Sequence, residues 1–138
     1  MEFADKINTI LCDDVREEVG NKTSLMGIYP ESMVFEKLPA ILPKLCLFVM
    51  LIKTKKRIPK FEVTLTTPRA EPIRNALPEP PNQQIGGNLN LAIVISPFRI
   101  NSPGEAKFEI YFEEETKPLV HKFGIHLAKK PRRAPTKK

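Results

Sequence analysis

Five charged side chains fall in the six positions from Asp13 to Glu18, with Val15 the one apolar member. Carboxylates and a guanidinium at that density allow three readings. Asp13, Asp14, Arg16, Glu17 and Glu18 can be the solvated end of a strand. They can be an interaction rim, or a carboxylate group holding a hard cation through oxygen ligands, although the mid-loop Gly spacing of a calcium loop is missing. Arg16 can also pair with Asp13 or Asp14 and fix strand register.

Two basic clusters offer a different chemistry. Lys53, Lys55, Lys56 and Arg57 form a short basic tip, and the last ten residues, KKPRRAPTKK, carry Lys129, Lys130, Arg132, Arg133, Lys137 and Lys138 with no acid. Removing those six from 22 basic residues leaves 16 against 16 acidic ones, so residues 1–128 are neutral and the tail holds the whole excess of +6. Both clusters are candidate phosphate or nucleic-acid contacts. No aromatics interleave them for stacking on bases, and solvated surface charge is the plainer reading.

The remaining reactive residues do not assemble a catalytic pattern. Cys12 and Cys46 lack the sharp glycine-rich turn that presents a nucleophile, and no C-x-x-C or His-Cys spacing suggests zinc. Both read as buried thiols in a reducing compartment, with a single sheet-to-sheet disulfide as the alternative. His121 and His126, five apart on one strand, point to opposite faces and cannot meet at one metal. No phosphate-binding, dinucleotide-binding or zinc-protease motif occurs. The expectation is a chain that is not an enzyme and uses no cofactor and no metal.

The elements that must position these residues are strands. Ile7–Arg16 is extended, Val19–Lys22 breaks it with Gly20 and Asn21, and Thr23–Tyr29 returns, with Gly27 at a bulge or a close backbone approach. Met33–Phe35 is a short strand, and the prolines of 38–43 mark a crossing between sheets. Leu45–Ile52 is eight apolar residues in a row, the most buried strand. Alternation over Phe61–Thr67, Asn88–Ser96, Glu105–Glu113 and Leu119–Leu127 gives four amphipathic strands, the last with His121 in phase with its apolar residues. Residues 68–87, rich in proline, read as a long ordered loop packed through Ile73 and Leu77.

CDDVREE followed by K-x-S-L-x-G-I-Y resembles the N-terminal pattern of a family of uncharacterised bacterial and phage-associated proteins of unknown function. The resemblance extends over most of residues 5 to 127, resting outside the hairpin on strand patterning; it brings no activity and no catalytic residues, and implies a bacterial or phage source.

The strands, the 14 prolines and the weak helical signal predict an all-β fold. We expect a two-sheet antiparallel β-sandwich, immunoglobulin-like or C2-like, of seven or eight strands over residues 1–128, with a flexible basic tail over 129–138. The N-terminus has no signal-peptide pattern and no apolar run spans a bilayer. The expected role is that of a non-enzymatic cytoplasmic protein-interaction module. The alternative is nucleic-acid association through the tail.

Overall fold

The computed structural model describes residues 2–112 and 117–129. Within them the chain forms eleven strands and no helix: β1 (Ala4–Glu18), β2 (Lys22–Tyr29), β3 (Ser32–Phe35), β4 (Ala40–Leu42), β5 (Leu45–Thr54), β6 (Phe61–Thr66), β7 (Ile73–Leu77), β8 (Leu89–Ile95), β9 (Phe98–Ile100), β10 (Gly104–Tyr111) and β11 (Leu119–Leu127). They make a four-stranded sheet ordered β2-β1-β5-β8, a five-stranded sheet ordered β3-β11-β10-β6-β7 and a two-stranded ribbon β4-β9.

This corrects the expected count of seven or eight strands. It also corrects the purely antiparallel pairing, because β3 runs parallel to β11, Met33 beside Ile125. The extra strands are short or exposed. β4 and β9 have three residues each, and β7 lies at a sheet edge with only Leu77 partly covered, so it needs no apolar alternation.

β1 organises the four-stranded sheet. Its first part pairs with β5 from Ala4 opposite Thr54 to Cys12 opposite Cys46, and its second part pairs with β2 from Leu11 opposite Tyr29 to Glu18 opposite Lys22. Beyond Cys12 it has only one neighbour. Residues 13–27 therefore project as a two-stranded arm, turned by Gly20 (φ 86°) and Asn21 (φ 59°), with Val19 at its tip 93% exposed.

Strand periodicity decides which side chains face the interior. From β5, Leu45, Leu47, Val49 and Leu51 are wholly buried, and their register partners Ile95, Ile93 and Leu91 follow. From the five-stranded sheet come Phe61, Val63, Leu65, Ala106, Phe108, Ile110, Phe123 and Ile125. All belong to one apolar cluster that also takes Phe98 and Ile100 from the ribbon. Full burial of each Val, Leu, Ile or Phe among them contributes about 1.5–3 kcal/mol. Phe112 lies 5.1 Å from Phe3 and 5.5 Å from Phe61, ring centroid to ring centroid, and ties the first residues to β6. Thr9 Oγ1 of β1 and His121 Nδ1 of β11 are 2.7 Å apart, a polar link between the two larger sheets.

The segment from Pro68 to Gly87 is ordered but is not simply a loop, since it contains β7. Leu77 packs on the core as expected, whereas Ile73 is 36% exposed and is not part of the cluster. The Gln83 amide secures the stretch after β7: it donates to Ile58 O (2.8 Å) and Pro80 O (2.9 Å), and its oxygen accepts from Ile58 N (2.7 Å).

Candidate functional site

The charges from Asp13 to Glu18 do not converge. Because alternate residues of a strand point to opposite faces, Asp13 and Asp14 part company. Asp13 accepts a short hydrogen bond from the Tyr29 hydroxyl. Asp14 lies between Lys44 Nζ at 2.9 Å and Arg16 Nε at 3.3 Å. The lysine and the guanidinium hold its carboxyl below the usual carboxylate range, and Asp14 in turn raises Lys44. Glu18 accepts from Ser24 Oγ at 2.8 Å, and Glu17 is exposed. Of the sequence readings, the Arg16–Asp14 pair is present. Among the described residues no group of three or more His, Cys, Asp or Glu is gathered for a metal.

Gly27 answers to Asp13. Its φ of 68° is left-handed, and a Cβ built on it would collide with the Asp13 carboxylate. The β1–β2 register runs unbroken past it, with Cys12 opposite Ile28 and Asp14 opposite Met26, so no extra residue bulges out. The close approach is to a side chain, not to another backbone.

The basic tip is engaged with acids. Lys55 lies 3.7 Å from Asp5, Lys56 lies 3.0 Å from Glu2 and 4.4 Å over the Phe3 ring, and Arg57 pairs closely with Glu79. Lys53 is exposed, with φ of 52°. Of the tail residues, Lys129 is exposed, and Lys130, Arg132, Arg133, Lys137 and Lys138 lie outside the described residues.

The two thiols face each other across β1 and β5 within one sheet, so the sheet-to-sheet disulfide is corrected to a cross-strand pair of free, buried cysteines. Burial, with Cys46 beside it, pushes the Cys12 thiol up to about 11. Burial raises Cys46 as well. Neither sulfur has thiolate character at neutral pH. Burial also pushes the His121 imidazole below its ordinary value, while His126 is exposed on the other face of β11.

Two outward surfaces remain, and neither was visible in the sequence. The first is the outer face of β2-β1-β5-β8. Register aligns Ile28, Cys12, Cys46 and Val94 in one row across all four strands, and Ile10, Phe48 and Ala92 in the next. At the centre of these rows Cys12, Cys46 and Phe48 are buried, while Ile28 (54%), Val94 (47%) and nearby Met26 (43%) are open. Polar residues flank the patch: Asp14, Arg16 and Lys44 at one end, Asn8, Asn90 and Lys6 at the other. The unbroken apolar run of β5 was the available signal, since it demands cover on both faces.

The second surface is a trough of about 690 Å³ on the outer face of β7-β6-β10, with Glu62, Thr64, Thr66, Arg74, Glu109 and Tyr111 among its lining. Tyr111 Oη donates to Glu109 Oε2 at 3.1 Å, and Glu109 lies 3.8 Å from Lys107 Nζ. Desolvation, then the Glu109 hydrogen bond, raise the Tyr111 phenol. Apart from Arg74 of β7, these residues are the wet halves of two amphipathic strands, and nothing in the sequence says that β6 and β10 are neighbours.

The fold and its surfaces define an all-β protein whose two larger sheets share one core and each expose a structured outer face. The chain belongs to a family of unknown function, DUF6941, which matches residues 8–121. No curated protein matches it.

Proposed function

We propose that the chain is a non-catalytic binding module that engages a protein partner through the outer face of β2-β1-β5-β8. The supporting observation is the apolar row Ile28–Cys12–Cys46–Val94, open at both ends and rimmed by charged and amide side chains. The apolar side chains open to a partner are Ile28, Met26 and Val94, and apolar surface within a polar rim is the usual anatomy of a protein interface. The partner this face suits is an apolar strand or sheet surface carrying charge opposite the Asp14–Lys44–Arg16 rim. In this reading the two larger sheets are the layers of an immunoglobulin-like or C2-like sandwich. The protein works in the cytoplasm, and the N-terminal pattern favours a bacterial or phage-encoded source.

Ile28→Lys combined with Val94→Lys tests the assignment. Both positions are at least half solvated or nearly so, and the double variant should melt within a few degrees of the parent. Light scattering of the purified chain and affinity capture from the source cell are then compared for both. The wild type should self-associate, or retain a defined protein that the double variant releases. A monomeric wild type retaining nothing that the variant does not also retain would overturn the proposal.

A second reading is nucleic-acid association through the tail, favoured by six cations without an acid in residues 129–138. The ion pairs of Lys55, Lys56 and Arg57 with Asp5, Glu2 and Glu79 reduce what the tip can add.

A further inference from the structure

We propose that the trough on β7-β6-β10 binds a segment of neutral oligosaccharide. The inference concerns the sheet opposite the protein-binding face and does not depend on it.

The floor of the trough constrains the ligand first. β6 is paired along both edges, with β10 from Tyr111 opposite Glu62 to Lys107 opposite Thr66, and with β7 from Leu77 opposite Phe61 to Ile73 opposite Leu65. Its backbone donors and acceptors are therefore spent, and only side chains can meet a ligand. An extended peptide needs partners for its own amides, and the free backbone here lies along the outer edge of β7, not on the floor.

The lining charges select next. In the lining Lys60 and Arg74 balance Glu62 and Glu109, and with Lys107 3.8 Å from Glu109 the excess is a single positive charge, a weak field for gathering phosphate and none for a polycation. What it offers instead is hydrogen bonding of both senses. Among the described residues no hydrogen bond or ion pair to another side chain occupies Lys60, Glu62 or Arg74. Thr64 and Thr66 supply hydroxyls that donate and accept, and the Tyr111 hydroxyl, its proton given to Glu109, can accept. A forked guanidinium and a carboxylate across one strand pair suit neighbouring hydroxyl groups, which also donate and accept. Tyr111, Ala76 and Pro72 add apolar surface for the C–H faces of a sugar ring. The volume, about 690 Å³, falls within the range of roughly 300–1,000 Å³ usual for small-ligand sites. All the named groups but Lys60 and Pro72 sit on strands, so the backbone needs little ordering on binding and the cost falls on fixing the exposed Arg74, Glu62 and Lys60 side chains.

The test is an amide-resolved NMR titration of the full chain with tetrasaccharides of glucose, mannose, galactose and N-acetylglucosamine. A sulfated heparin tetrasaccharide, inorganic phosphate and an uncharged extended peptide serve as comparators. At least one neutral sugar should give saturable shifts centred on Thr64, Thr66, Arg74 and Tyr111, and added salt should leave its affinity unchanged. Arg74→Ala and Glu62→Gln, both at exposed positions, should each weaken it about tenfold. Ile28→Lys with Val94→Lys should leave it intact, which separates this site from the opposite face. The proposal is overturned if no neutral sugar moves the trough residues, or if only heparin, phosphate or the peptide does.

Discussion

Single residues in this chain are constrained by particular neighbours. Gly27 is the sharpest case, because both its backbone and the space above it exclude a side chain. Gly27→Ala should cost about 1–2 kcal/mol for the left-handed backbone alone. It should cost more because the new methyl displaces the Asp13 carboxylate from Tyr29. Chemical denaturation checks this, and an unchanged midpoint would mean that the arm is not held as described. His121 carries a pH dependence. Burial lowers its folded pKa beneath the ordinary value of about 6.5, so the unfolded chain binds the extra proton between the two values. Stability is then complete above about pH 6.5 and declines as pH falls below it. The lowered Asp14 carboxyl acts in the same direction, but only as pH falls below about 4. Melting temperature against pH should therefore lose its slope between about pH 6.5 and 4 in His121→Gln, while keeping the steeper acid limb.

Individual strands were legible wherever one face is dry. Phe61, Val63 and Leu65, then Leu91, Ile93 and Ile95, then Ala106, Phe108 and Ile110 alternate because a core waits on one side only, and the expected strands match β6, β8 and β10 within a residue or two. The hairpin of β1 and β2 followed from Gly20 and Asn21, whose positive φ the turn uses. β7 was not legible, because an edge strand with almost all of its side chains in water has no reason to alternate. β4 and β9 are too short for a period to show. Leu127, in phase with Phe123 and Ile125 by strand alternation, is 47% exposed at the end of β11. The candidate surfaces were hidden for a different reason. Rows such as Ile28–Cys12–Cys46–Val94 run across strands, and their members stand apart in sequence until the register is known. The charged run at Asp13–Glu18 stood out in the sequence, but the pleat divides it between two faces.

At the scale of the molecule, charge is unevenly placed: residues 1–128 are neutral and residues 129–138 carry +6. If those ten residues contact phosphates, affinity for DNA or RNA should fall steeply with salt, with a log–log slope approaching about −5 for six cations on duplex. A chain ending at Ala128 should then lose binding at about 150 mM salt while keeping its melting temperature. Equal binding by the shortened chain would remove the tail from consideration. The truncation leaves both sheet faces intact, so it separates a charge-driven role from the two face-driven ones.

The pairing of β3 with β11, and the link from Thr9 to His121, join parts of the chain that stand far apart in sequence. Those contacts wait for residues 119–127, so the five-stranded sheet cannot be completed while they remain inside the ribosome. Contacts this remote in sequence are associated with slow folding. Until β11 has appeared the apolar side of β5 is without part of its cover, and apolar surface left open in this way makes a newborn chain prone to aggregate.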